Sequence, residues 1–275
     1  IEGAKPFVGF MGTFLEDFPL VKSWGANMAY WHSGADLNET VAAAKEHGLK
    51  LMVSAKGRGQ HQNPEDSTLD LAKAEDSVRT FFSDNPAALD PIVVAVWVID
   101  EPCHQGRPGG PPKWVLTAKD LNDLYQTLKG VDPNIPIFIN FGSLQCLERF
   151  VNEAEPGWKL ADLAGFTVTE KKTRSGNTFI AEEAARAETA KAFDPDMAII
   201  PQLAVFEPIE HGAPLPSAEW IRTTGLELVK YDSFDGILIY SFNDVSDWMG
   251  QTISDVKDDP SYVSAFKEIL SQATR

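Results

Sequence analysis

The chain reads as one (β/α)8 barrel, and three observations carry that reading. Eight short runs rich in β-branched and aromatic residues alternate with stretches of helical character. The middles of these runs are nearly continuous in apolar residues, the pattern of parallel strands covered on both faces. The length, 275 residues, suits eight such units closed into a barrel. A doubly wound open sheet is the alternative. It has roughly five to seven strands and a Gly-x-Gly-x-x-Gly turn after the first, and the sequence shows no such turn. No linker, low-complexity segment or second domain interrupts the pattern, so residues 1–275 are read as a single barrel domain.

The strands are expected at Phe7–Phe14, Asn27–Ser33, Leu49–Lys56, Ile92–Ile99, Ile135–Phe141, Leu163–Thr169, Ala198–Phe206 and Gly236–Phe242. Between them, Asn38-Glu39-Thr40-Val41 opens a helix over Val41–His47 that stops at Gly48, a residue suited to a helix C-terminus. Further helices fit Leu69–Ser83, Ala118–Lys129, Leu144–Asn152, Ala181–Phe193, Ala218–Lys230 and Pro260–Gln272. Glu16–Trp24 is a weak helix with Pro19 in its first turn, where proline is tolerated. Gly57–Thr68 and Pro102–Thr117 are longer than a barrel needs. Both follow the C-terminal ends of strands, where barrels build their sites.

Composition narrows the partners. There are 24 Lys and Arg against 40 Asp and Glu, a formal charge of −16. That field repels phosphate backbones and anionic lipid. No basic cluster offers a local exception, so neither nucleic acid nor membrane insertion is expected. The longest apolar runs, such as Pro91 to Ile99, fall far short of the roughly 20 residues of a membrane helix. The chain begins with Ile and shows no signal-peptide pattern, as expected of a processed mature form or a trimmed chain. Asn38-Glu39-Thr40 matches a glycosylation triplet, a pattern that also arises by chance.

Read strand by strand, the C-terminal rim gathers polar and aromatic side chains. Strand one supplies Thr13 and Glu16, and strand two Tyr30, Trp31 and His32. Lys56 and Arg58 follow strand three, and Asp100-Glu101-Pro102 ends strand four. Asn140 ends strand five, and Thr169, Glu170 and Lys171 end strand six. Gln202 and Glu207-Pro208 belong to strand seven, and Ser241, Phe242, Asn243 and Asp244 to strand eight. Acids at strand ends are common, but Val98-Ile99-Asp100-Glu101-Pro102 places two directly after a buried apolar strand. Burial there favours the protonated carboxyl that a general acid needs. Trp31, Trp114, Phe206, Phe242 and Trp248 are candidates for stacking on a sugar ring, each weighed against ordinary packing. Trp114 stands out because its segment is rich in Gly and Pro.

Trp97-Val98-Ile99-Asp100-Glu101-Pro102 resembles the strand-four motif of the clan A glycoside hydrolases, the cellulase and β-glycosidase type of barrel. In that motif the usual ending is Asn-Glu-Pro and the Glu is the general acid/base. Val21–Trp31, with Lys22-Ser23-Trp24-Gly25-Ala26-Asn27, is similar to their first helix and second strand, and Ala42–Val53, with His47-Gly48-Leu49-Lys50, to the step that follows. The resemblance implies Glu101 as acid/base and, at the end of strand seven, Glu207 in Ala204-Val205-Phe206-Glu207-Pro208 as nucleophile. Asp100 and Asn140 are then expected to position sugar hydroxyls, with Gln202 and Tyr30 as helpers. His32, Lys56, Glu170 and Asn243 complete the expected substrate-binding set, and Trp31, Trp114, Phe242 and Trp248 its stacking surfaces.

The chain departs from that pattern in three places. Asp100 replaces the usual Asn, strand eight ends Tyr240-Ser241-Phe242 where the family carries a Trp, and the first arginine is Arg58. Trp248 is a candidate substitute for that Trp.

A retaining or inverting glycosidase needs two carboxyl groups, roughly 5–5.5 Å apart for retention and about 6.5–9.5 Å for inversion. Retention is the expectation here. Glu170 competes with Glu207 as the second carboxylate, with Lys171 and Lys172 beside it as structural partners. The expected substrate is an oligo- or polysaccharide, and no cofactor is expected.

Rival readings remain. His32, His61, His104 and His211 on the rim suggest a metal-dependent hydrolase, although none shows the spacing of a metal ligand pair. Lys171 or Lys56 would serve a Schiff-base lyase. A non-catalytic glycan-binding barrel would share the fold and the aromatics. Cys103 and Cys146 follow neighbouring strands and are either a disulfide, which suits a secreted or extracytoplasmic enzyme, or two free thiols.

Overall fold

The computed structural model describes residues 4–31, 36–55, 63, 68–103, 116–173, 178–206, 215–243 and 252–275. It is a (β/α)8 barrel. Eight strands close in the order β1 to β8, each parallel to its neighbours, with β1 pairing β8 across the seam. They are β1 (Phe7–Thr13), β2 (Met28–Trp31), β3 (Lys50–Ser54), β4 (Val93–Asp100), β5 (Ile137–Asn140), β6 (Leu163–Val168), β7 (Ala198–Ala204) and β8 (Gly236–Tyr240). Each lies inside its expected run or within a residue of it. The surrounding helices are α1 (Phe18–Trp24), α2 (Leu37–Glu46), α3 (Leu71–Asp84), α4 (Ala118–Val131), α5 (Leu144–Glu153), α6 (Glu170–Thr173), α7 (Thr178–Phe193), α8 (Ala218–Val229) and α9 (Pro260–Ala273). The short α6 was not foreseen. Among the described residues, no helix is long and apolar enough to cross a membrane.

Local chemistry starts these helices where they start. Asp36 accepts from the N–H groups of Asn38 and Glu39, Asp70 from Lys73, Ser143 from Cys146 and Ser217 from Trp220. Thr117 and Asp120 cap α4 reciprocally. Each such cap satisfies N–H groups that the first helical turn leaves open. The glycosylation triplet falls in the first turn of α2, where Thr40 is buried and its hydroxyl donates to the Asp36 carbonyl at 2.7 Å.

Two apolar layers result from the alternation of strand side chains. Met11, Met28, Met52, Ala95, Phe138, Leu163, Ile200 and Leu238 fill the barrel interior. The outer faces of the strands and the inner faces of the helices form the larger core. Around the seam, Trp24 of α1 stacks on Phe266 of α9 at 5.6 Å, and Phe10 of β1 meets Trp24, Phe242 and Phe266 edge-on. This cluster joins the two ends of the chain.

The N-terminal rim repeats one device on three strand pairs. The residue just before an even-numbered strand accepts a hydrogen bond from a main-chain N–H near the start of the preceding strand. Asn27 takes the Val8 N–H at 2.8 Å, Asp162 that of Ile137 at 2.7 Å and Asp235 that of Ile199 at 2.7 Å. Both acids also carry a lysine, Asp162 with Lys129 and Asp235 with Lys191, each at 2.8 Å.

Candidate active site at the C-terminal rim

Strand register decides which side chains reach the barrel mouth. On β4, Ala95 points inward, so Trp97 does too, and a register shift between Trp97 and Ile99 then aligns Asp100 with Asn140 of β5. Asn140 is 5% exposed, and its Nδ2 donates to Asp100 Oδ1 at 2.9 Å while its Oδ1 accepts from the Gly142 N–H at 3.1 Å. The Asn140 carbonyl accepts from the Glu101 N–H at 2.6 Å. One asparagine therefore ties together the end of β4, the start of the next segment and the turn leading to α5.

Glu101 sits in the left-handed region, at φ 46°. A non-glycine residue holds that conformation only where its surroundings fix it. The Asn140 carbonyl fixes its N–H. Two residues on, Cys103 is disulfide-bonded to Cys146 in the first turn of α5, with Cα atoms 5.9 Å apart. The sequence left this pair open between a bridge and two thiols, and the structure closes the bridge.

Gly142, at φ 72°, faces the Glu101 side chain. A Cβ there would lie 3.0 Å from Glu101 Cγ and 3.3 Å from Oε1. A glycine is thus required both for the turn and for the space that the carboxyl-bearing side chain occupies.

Aromatic rings line opposite walls of the mouth. Tyr30 of β2 meets Trp97 at 5.8 Å, and Trp97 meets Phe138 at 5.9 Å, both edge-on. Across the barrel, Tyr240 of β8 meets Phe206 at 5.5 Å. A cis peptide bond joins Tyr240 to Ser241. Burial raises the Tyr30 phenol to about 12, and the Asp100 charge adds to this while a hydrogen bond with Ser54 opposes it. Tyr30 therefore stays a protonated donor beside Asp100 at any ordinary pH. Lower in the barrel, the Gln202 amide lies over Gly165, whose missing Cβ would fall 2.6 Å from Gln202 Nε2. Gln202 is 2% exposed and its Nε2 has no hydrogen-bond partner among the described residues.

The structure thus brings Asp100, Glu101, Asn140 and Tyr30 together at the mouth, with Gln202 beneath. Glu170 opens α6 just after β6.

Two expectations need correction. Phe242 is fully buried against Phe10 and Trp24 and offers no stacking face. Trp31 points outward from β2, one residue after inward Tyr30, and packs on Phe81. Asn243 stands at the rim, where its amide nitrogen donates to Asp17 Oδ2 at 2.6 Å and to the Gly12 carbonyl at 3.1 Å and ties the end of β8 to β1. His32, Lys56, Glu207, Trp114 and Trp248 lie outside the described residues, as do Arg58, His61, His104 and His211. Among the described residues, no cluster of His, Cys, Asp and Glu could hold a metal ion.

The sequence reading missed Trp97 and Tyr240 as wall residues. The signal was present, since both stand two positions after an inward residue on the same strand. Lys172 was read only as a neighbour of Glu170. Its Nζ reaches the carbonyls of Gly142 at 2.9 Å and Thr167 at 2.7 Å. Nothing local in the sequence announces that contact.

The chain matches no protein-family model and no curated protein sequence. Among solved structures it is similar to a β-glucanase from Saccharophagus degradans, at 15% identity and a TM-score of 0.62, over 99% of this chain and 89% of that one. It is also similar to a β-D-glucuronidase from Dictyoglomus thermophilum, at 16% identity and a TM-score of 0.62, over 97% of this chain and 51% of that one. A third likeness is to a GH5_18 protein from Streptomyces cattleya in complex with GlcNAc, at 12% identity and a TM-score of 0.61, over 97% and 80%. The chain spans about half the length of the glucuronidase and 46% of a GH2 β-galacturonidase from Eisenbergiella tayi, and most of the other two. At these identities the likeness is one of fold, the (β/α)8 barrel that glycoside hydrolases use.

Proposed function

We propose that the chain is a glycoside hydrolase that cleaves an oligo- or polysaccharide with retention, using Glu101 as general acid/base and Glu207 as nucleophile. The observation that carries this reading is the fixing of Glu101 at the end of β4, by the Asn140 carbonyl, the Gly142 turn and the Cys103–Cys146 bridge. A proton donor must hold one place relative to the glycosidic oxygen, and such bracing supplies that.

In the first step Glu101 gives its proton to the leaving oxygen while the Glu207 carboxylate attacks the anomeric carbon, and the glycosidic bond breaks. In the second, Glu101 as carboxylate takes a proton from water, which attacks the same carbon and releases Glu207. Asp100, Asn140 and Tyr30 stand where sugar hydroxyls would be held, and the walls of Trp97 and Tyr240 offer ring faces to the sugar. No cofactor enters the reaction. The disulfide supports a secreted or extracytoplasmic setting.

A panel of aryl glycosides and oligosaccharides tests the activity. Azide should restore turnover to E207A with inversion of the product; rescue of E170A instead would move the nucleophile to Glu170. Loss of activity to a chelator, with recovery on adding a divalent ion, would replace this mechanism with a metal-dependent one.

A further inference from the structure

Lys172, partly buried on α6, has no role in the steps above. Its ammonium bridges two carbonyls, those of Gly142 and Thr167, and the Thr167 N–H returns to the Gly142 carbonyl at 3.2 Å. The turn after β5 is thereby tied to β6 from two directions. The same turn carries Gly142, on which the Glu101 side chain rests.

Behind Lys172 stands Glu183 of α7, 2% exposed. Its Oε2 accepts from the Leu144 N–H at 2.9 Å and its Oε1 from Arg186 at 2.7 Å, while Arg186 also reaches Glu148 of α5 at 3.3 Å. Charges alternate outward from the mouth through Glu101, Lys172, Glu183, Arg186 and Glu148. Burial lowers the Lys172 pKa, and the fields of Glu183 and Glu101 oppose that. Two carbonyls hold the lysine in place, and the fields of the two acids keep its charge there against desolvation.

We propose that Lys172 is a positioning residue for Glu101: by tying Gly142 to β6 it fixes the surface on which the Glu101 side chain lies and holds the carboxyl at one place in the mouth. The proposal rests on Glu101 being the acid/base.

K172M keeps the length of the side chain and removes the donor. In its crystal structure, compared with that of the wild type, the Gly142 turn should part from Thr167 and the Glu101 side chain should leave its single orientation. Turnover should fall about ten- to a hundredfold, the loss expected from misplacing a reacting group by about 1 Å. KM should stay within about threefold on substrates with poor leaving groups; on aryl glycosides whose leaving groups need no proton, kcat/KM should be nearly unchanged while kcat still falls, because water attack uses Glu101 as base. K172R, which can still donate to carbonyls, should recover part of the lost turnover. An unmoved Glu101 in K172M, or a rise in KM at constant kcat, would overturn the proposal. If K172M does not fold, E183Q, which leaves Lys172 in place and weakens its backing, should move Glu101 in the same sense but less; an unmoved side chain there counts equally against it. If the wild type cleaves no glycoside, the functional reading fails, and the crystallographic comparison still decides the role of Lys172.

Discussion

At the N-terminal rim, Asp162 and Asp235 each give one oxygen to a strand N–H and receive a lysine. At the C-terminal rim, Asp100 is held by the neutral amide of Asn140, and Glu101 is fixed through its backbone and the glycine it rests on. The lower acids are fastened by their carboxylates. Glu101 is braced through its main-chain N–H and by the glycine against its side chain. The lower rim uses its acids to hold strands together, whereas the upper rim braces the backbone that carries Glu101. A change below should therefore act on stability alone, and a change above on turnover as well.

The largest expected effect is at Glu101. E101Q should lose about 10²–10⁴-fold in kcat on substrates with poor leaving groups and fold normally. Full activity would end the acid assignment and the contrast with it. Next is the bridge between residues 103 and 146, which are 43 apart in sequence. In the chain-entropy picture a loop of that size contributes roughly 4 kcal/mol. Melting with and without reductant should show a fall of about 10 °C, and C103S/C146S should match the reduced protein.

D235A sharpens the lower half of the comparison. It leaves the Ile199 N–H and Lys191 without their acceptor and should cost about 1–3 kcal/mol in denaturant unfolding, with kcat unchanged. A loss of turnover out of proportion to stability would break the division between the rims. G142A should lower both. Forcing a Cβ into the left-handed region costs about 1–2 kcal/mol, and the new methyl, 3.0 Å from Glu101 Cγ, should lower kcat roughly tenfold.

The smallest effect is a pH dependence at Glu183. Burial raises its pKa above the usual carboxylate value of 4.5, against the hydrogen bond from Leu144 and the charge of Arg186. Its contribution is therefore fully present below about 4.5 and lost as pH rises through the higher native value. The melting temperature of E183Q relative to wild type should climb over that window. A flat difference would mean that the charged form is already fully compensated.

The barrel was legible because both faces of each strand are covered, so that eight apolar runs stand out against helices with caps. The end of β4 drew notice because two acids directly after a buried strand have few structural uses, and the bracing of that turn by Asn140 and Gly142 was not visible in the sequence. Trp31 misled because the position of an aromatic near a strand end was read without its parity, whereas Phe242, two residues after inward Tyr240, leaves that alternation beyond β8 and packs outward on Phe10 and Trp24. Tyr30 inward makes Trp31 outward, and the same counting would have found Trp97 from Ala95. The Lys172 contact with Gly142 was beyond reach, since Gly142 belongs to the preceding β/α unit and meets the lysine only once β5 and β6 pair.

Beneath β1, β2 and β3 the barrel is filled by three methionines, Met11, Met28 and Met52, each at most 1% exposed, while Phe138 fills the side of β5. Unbranched thioethers change rotamer and volume at low energy, and a phenyl ring does not. One side of the site therefore has a yielding floor and the other a stiff one. Directed evolution toward bulkier or smaller sugars should gather its first substitutions at positions 11, 28 and 52, before any change at the rim. Sequencing the early rounds of such a selection would show whether adaptability in this barrel resides under its first three strands.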